Sequence, residues 1–138
     1  MPLLRRIPYF CSFLYLLNTP VHADTMEHYM NISHNIPQME MKADSQSQMW
    51  AKSARNILTL TSESIAESLT LANQAATRAG SPLFCLPDNL TLDADQMNKL
   101  IMNTFLGISS QQSDKNKMTV SQVALLGLMQ KYPCKGEH

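Results

Sequence analysis

Gln46 to Ala79 constrains the fold most, because it runs without a glycine or proline and repeats its apolar positions with a helical period. At about 100° per residue, Trp50, Ala51, Ala54, Ile57, Leu58, Ile65, Leu69, Ala72, Ala75, Ala76 and Ala79 gather on one side. Lys52, Arg55, Glu63, Glu67 and Arg78 fall on the other. The pattern predicts a long amphipathic helix, or two helices with a break near Thr59 to Ser62. Asp44 or Ser45 can cap its start, Gly80 can end it, and Pro82 blocks continuation. The alanines of its second half leave room for another helix to come close.

Such a helix needs apolar partners, and the remaining sequence offers them at the same period. Asp93 followed three residues later by Gln96 is an acidic form of the capping box. It opens a second helix with Ala94, Met97, Leu100, Ile101, Phe105 and Ile108 as its buried stripe. Thr119 with Gln122 makes another box and opens a third helix, VSQVALLGLMQKY, which Pro133 terminates. That helix is apolar nearly all round, so it is either the centre of the bundle or partly an interface. Between them GISSQQSDKNK, Gly107 to Lys117, reads as a polar connection, either a contact loop or a plain solvated one. Asp24 to Asp44 contains Pro37 and shows no sustained period, which predicts a flexible N-terminal arm with at most a short helical turn. Strand alternation and internal repeats are absent. The fold class expected is all-α: a small helical bundle with one long N-terminal helix and a disulfide-stapled helical hairpin.

The disulfide expectation begins with compartment. Arg5 and Arg6 precede an apolar stretch from Ile7 to Leu17, and Val21-His22-Ala23 supplies small residues three and one before a cut after Ala23. This is the layout of a secretory signal peptide, and the stretch is too short to span a bilayer, which takes about 20 residues. Cys11 lies in that leader behind Pro8-Tyr9-Phe10, which are not the small residues of a lipoprotein processing site. The expected organisation is a signal peptide over 1–23, the arm over 24–44 and a helical domain over 45–138. The exported protein then carries two cysteines, Cys85 and Cys134.

In an oxidising compartment two such cysteines most simply pair with each other. A zinc site takes about four ligands at close spacings, and no histidine stands between these two. A reactive thiol takes an adjacent base or a helix N-terminus, and His28, His34 and His138 all lie near the ends of the exported chain. Closing so long a loop is worth roughly 4 kcal/mol in the chain-entropy account. Phe84 and Pro87 around one cysteine, and Tyr132 and Pro133 before the other, are expected to form structural turns, with the two aromatic rings packed over the sulfurs.

Charge and motifs narrow the function. The chain has 11 basic and 11 acidic residues, and loss of Arg5 and Arg6 leaves nine against 11, near −2. No basic stripe is offered to nucleic acid or to a membrane surface, so neither is expected as a partner. Nucleophile elbow, HExxH and phosphate-binding glycine loop are all missing, and an enzyme is not expected. Asp93 and Asp95 read as helix-start carboxylates rather than a catalytic pair, and Glu63 with Glu67 as a solvated face. The sequons at Asn31 and Asn89 matter only in a eukaryotic source. No cofactor is expected. A separate reading concerns Met26, His28, Met30, His34, Met39 and Met41, whose thioether and imidazole groups suit Cu(I), although methionine is frequent throughout the chain.

The stretch LTLANQAATRAGSPLFCLPDNLTLDADQMNKLI, a variable loop and a closing YPC together resemble the Rap/Tai family, the resistance-associated and type VI amidase immunity proteins of Gram-negative bacteria. The likeness covers Ile65 to Cys134 and rests on LFCLP, LTLDADQ and YPC taken jointly. It implies a small helical periplasmic protein with a Cys85–Cys134 disulfide that binds and blocks an injected peptidoglycan amidase. The arm before Ser45 has no counterpart in the pattern, and no inhibitory residue transfers with it. Contacts would then come from the Gly107 to Lys117 loop or from the face bearing Glu63 and Glu67. The alternative is an accessory or effector protein of a secretion system or envelope complex. A homodimer is compatible with either reading.

Overall fold

A computed structural model describes residues 24–135; the expected leader and His138 lie outside them. Five helices follow in order: α1 (Met26–Glu40), α2 (Ser45–Arg78), α3 (Ala94–Gly107), α4 (Gln112–Asn116) and α5 (Val120–Lys131). The described residues form no strand, and a lone antiparallel bridge joins Thr25 to Thr119. The fold is all-α. No helix among the described residues is long and apolar enough to cross a membrane.

Helix α2 is the spine, about 50 Å long at 1.5 Å per residue, and it is continuous through Thr59 to Ser62. The Asp44 carboxylate caps it by accepting from the Ser47 amide at 2.8 Å. Its end comes at Arg78, followed by Gly80 at φ +83°, a conformation that favours a residue without Cβ. Helices α1 and α3 both pack on α2, and α5 packs on α3.

The buried line of α2 runs through Ala51, Ala54, Leu58, Ser62, Ile65 and Ala66, with Leu69 and Asn73 half-buried beyond. It is rotated from the apolar stripe predicted above. Trp50 and Ile57 are 39% and 50% exposed, and Ala72, Ala75 and Ala79 face solvent. The rotation follows from two polar residues, Ser62 and Asn73, that occupy the inner face because each has a specific partner there.

The segment expected to be a flexible arm is instead helix α1, and it supplies core. Met26, Tyr29, Met30 and Ile36 are all buried. Thr25 caps the helix, and Pro37 sits in its last turn, where the one helix bond it removes leaves the Ser33 carbonyl. At the turn into α2 the Arg55 guanidinium makes paired bonds to the Glu40 carboxylate at 2.5 and 2.8 Å. That pairing holds the Glu40 carboxyl below its ordinary range. Gln48 donates to the carbonyls of Glu40 and Lys42. The start of α1 is tied to the start of α5, with the Met26 amide on the Met118 carbonyl at 2.9 Å and the Val120 amide on the Asp24 carbonyl at 3.0 Å.

Both predicted capping boxes are present, Asp93 with Gln96 and Thr119 with Gln122. The stripe of α3 is buried at Met97, Leu100, Ile101 and Phe105. The Gly107 to Lys117 connection is less irregular than expected, since Gln112–Asn116 coils into α4 and the Lys115 ammonium lies 4.8 Å from the centre of the Phe105 ring. Helix α5 is not the centre of the bundle. Val120, Val123, Ala124, Gly127 and Leu128 are buried on its α3 side, while Met129 is 46% exposed.

One buried polar cluster joins three helices. The Tyr29 hydroxyl of α1 donates to Asn98 Oδ1 of α3 and lies 2.9 Å from Ser62 Oγ of α2. A phenol has one proton, so Ser62 donates to the Tyr29 oxygen. Burial raises the Tyr29 pKa above its ordinary value of 10.0, with the Ser62 bond opposing and the Asp24 charge adding to the rise. Because the folded pKa is raised, the associated stability is complete below the unfolded value and is lost as pH climbs through the folded one. Tyr29→Phe leaves Ser62 and Asn98 without their partner and is expected to cost about 1–3 kcal/mol in urea unfolding at neutral pH. The gap to wild type should narrow above about pH 10; a variant as stable as wild type at neutral pH would show that the cluster is not holding the helices.

Candidate functional site

The region around LFCLP and YPC is built by one asparagine. Asn73, in the last turns of α2, accepts from the Leu83 amide at 2.8 Å and the Phe84 amide at 3.1 Å through Oδ1. Its Nδ2 donates to the Phe84 carbonyl at 2.9 Å. These three bonds fold the chain after Gly80 back along α2 and drive Phe84 into the core, where it is 1% exposed. The next residue, Cys85, faces outward. Its amide donates to the Tyr132 carbonyl at 2.8 Å, and its sulfur is bonded to Cys134, with the two Cα atoms 4.9 Å apart. The disulfide closes the chain between the start of the α3 approach and the end of α5.

The expected turn residues divide between core and surface. Phe84 joins the central apolar cluster, and Tyr132 is half-buried against it. Pro87 and Pro133 are exposed, and the Pro87 carbonyl accepts from Leu90 to form a turn. Proline fixes φ at these positions and donates nothing, which suits a chain that must stop bonding to its helix and change direction.

Helices α3 and α5 approach closely at Gly127. A Cβ there would run into the Thr104 side chain, with Leu100 Cγ next nearest at 3.1 Å. The close approach floors an open groove of about 510 Å³, with Leu90 and Leu92 from the loop, Leu100 and Thr104 from α3, and Tyr132 at the disulfide end. The exposed rim carries Gln96, Lys99 and Asn103 on one side and Gln130 and Lys131 on the other. Lysines are the charged residues of this lining. Lys99 is paired with Asp95 at 2.6 Å in an exposed contact between successive turns of α3. Lys131 lies over the Tyr132 ring at 5.4 Å from its centre.

Other sequence candidates are dispersed. Asp93 is consumed as the α3 cap and Asp95 as the Lys99 partner. Glu63 and Glu67 are exposed, and neither enters an ion pair among the described residues. Of the methionine and histidine set, the Met26 and Met30 side chains are core, His28 pairs with Asp24 at 2.6 Å, and His34 is exposed. Two of the thioethers expected on a free arm are therefore inside the protein. Among the described residues no three His, Cys, Asp or Glu side chains gather closely enough to hold a metal. No protein family, curated protein or solved structure matches the chain.

Two structural determinants stand outside the set predicted from sequence. Gly127 carries a signal, since an isolated glycine in an apolar helix usually marks close packing. Asn73 carries a weaker one: a helix-end asparagine whose partner backbone lies ten residues on. Asn73→Ala is expected to lower stability by about 2 kcal/mol, from the loss of three side-chain bonds to backbone, and to speed amide exchange at Leu83 and Phe84. Unchanged exchange at those two amides would remove Asn73 from its role in shaping the turn.

Proposed function

We propose that this is a periplasmic protein of the immunity type, which neutralises a peptidoglycan amidase by binding it directly. The observation that carries the reading is the placement of the residues behind the Rap/Tai resemblance. Asn73 is bonded to the backbone of Phe84, and Cys85 to Tyr132 and Cys134, so residues far apart in sequence are tied together there. The residues of the signature thus serve as a scaffold in this chain; both the family and the amidase come from the resemblance alone. The disulfide suits an oxidising compartment.

The test is capture with the exported, disulfide-bonded chain against the secreted proteins of its own cell, followed by a peptidoglycan hydrolysis assay on what is recovered. The expected result is a stoichiometric amidase whose hydrolysis stops when the protein is added. Recovery of envelope or secretion-machine components, with no effect on any amidase, would replace this reading with that of an accessory protein.

A further inference from the structure

The groove between α3 and α5 has a composition that points to a kind of ligand. Its floor is apolar and buried at Leu100 and Gly127, while its rim is polar and exposed. A volume of about 510 Å³ falls within the usual range of binding clefts, about 300–1,000 Å³, but this cleft is open along one side rather than enclosed. That shape suits a short run of chain better than a small molecule buried on all faces. The Asn103 and Gln130 side chains make no hydrogen bond to another described residue. Each presents a donor and an acceptor, the same pair that a peptide backbone offers in return.

Charge selects among peptides. Lysines are the charged residues of the lining, and Lys131 has no acidic partner among the described ion pairs. Two cations are too few to hold a nucleic acid, which takes many phosphate contacts. Lys99 is already paired with Asp95, so Lys131 is the cation left to orient one carboxylate at the edge of the groove.

We propose that this groove receives a short extended segment of a partner protein, with an apolar side chain seated against the half-buried Leu90, Leu92 and Tyr132 and a neighbouring carboxylate paired with Lys131. The inference deepens the protein-binding reading above and rests on it. It also gives the disulfide a part in recognition. Cys85–Cys134 and the Cys85 to Tyr132 backbone bond hold the loop bearing Leu90 and Leu92 against Tyr132, so they fix the end wall of the groove.

The test titrates the full, disulfide-bonded chain with a panel of end-blocked hexapeptides, each placing one apolar residue type beside aspartate, with asparagine versions as controls. Backbone amide resonances report the site. At least one aspartate peptide is expected to shift Thr104, Gly127 and Lys131 together, with affinity falling roughly tenfold in its asparagine version and in Lys131→Glu. Lys131 is exposed, so the charge reversal keeps the fold at the modest cost of a negative charge at the end of α5, and an unfolding midpoint lowered by no more than about 8 °C would verify this. The proposal is overturned if no peptide shifts these resonances at millimolar concentration, or if those that do are indifferent to both charge changes. Amidase capture read in parallel separates the two ideas. Undiminished capture by Lys131→Glu with a silent panel removes the groove and keeps the immunity reading. Peptide binding without any amidase keeps the groove and removes that reading.

Discussion

The phenol of Tyr29 is the point through which α1, α2 and α3 are made mutually dependent. A serine in the middle of a long helix and an asparagine on the next would each be a liability in the core without a partner. The single hydroxyl between them answers both, accepting from Ser62 and donating to Asn98. Apolar contacts around it are non-directional and would tolerate a rotated α2; the hydrogen bonds would not. The inner face of α2 is therefore set by Ser62 and Asn73 as much as by its leucines and alanines. Trp50 and Ile57 are left outside as a consequence.

The same dependence explains what could be read beforehand. Helices announced by caps were legible: Asp44, Asp93 with Gln96 and Thr119 with Gln122 stand where the sequence places them, because a cap is a local interaction within one turn. The cysteine pairing was legible too, since compartment and count left little else. Helix α1 was not. Its buried positions, Met26, Tyr29, Met30 and Ile36, do follow a helical spacing, but Ser33 and Pro37 interrupt the stripe and the surrounding methionines and histidines suggest metal chemistry. The sequence shows no partner for Ser62, because that partner is Tyr29 on α1.

At the candidate site the legible part was covalent and the illegible part was conformational. Phe84, Cys85, Tyr132 and Cys134 stood out as a set, whereas the groove depends on how closely two helices approach. That distance is decided by Gly127 against Thr104 and Leu100, across contacts no periodicity reveals. The two aspartates at the start of α3 are used locally, Asp93 in its cap and Asp95 on Lys99, one turn away, while Glu63 and Glu67 stand exposed. Lys131 is the charged residue left without an acidic partner among the described ion pairs along an accessible cleft.

The tie between Thr25 and Thr119 bears on the order in which the protein can acquire its structure. The first described helix closes against the start of the last, Tyr29 reaches a residue 69 positions away, and Cys85 waits 49 residues for Cys134. Contacts of such long range form late, since each requires an extensive loop to close first. A chain emerging from its N-terminus can form the α1–α2 hairpin and dock α3 on it early, whereas the bridge to Thr119 and the bond to Cys134 close only once the α5 segment is present.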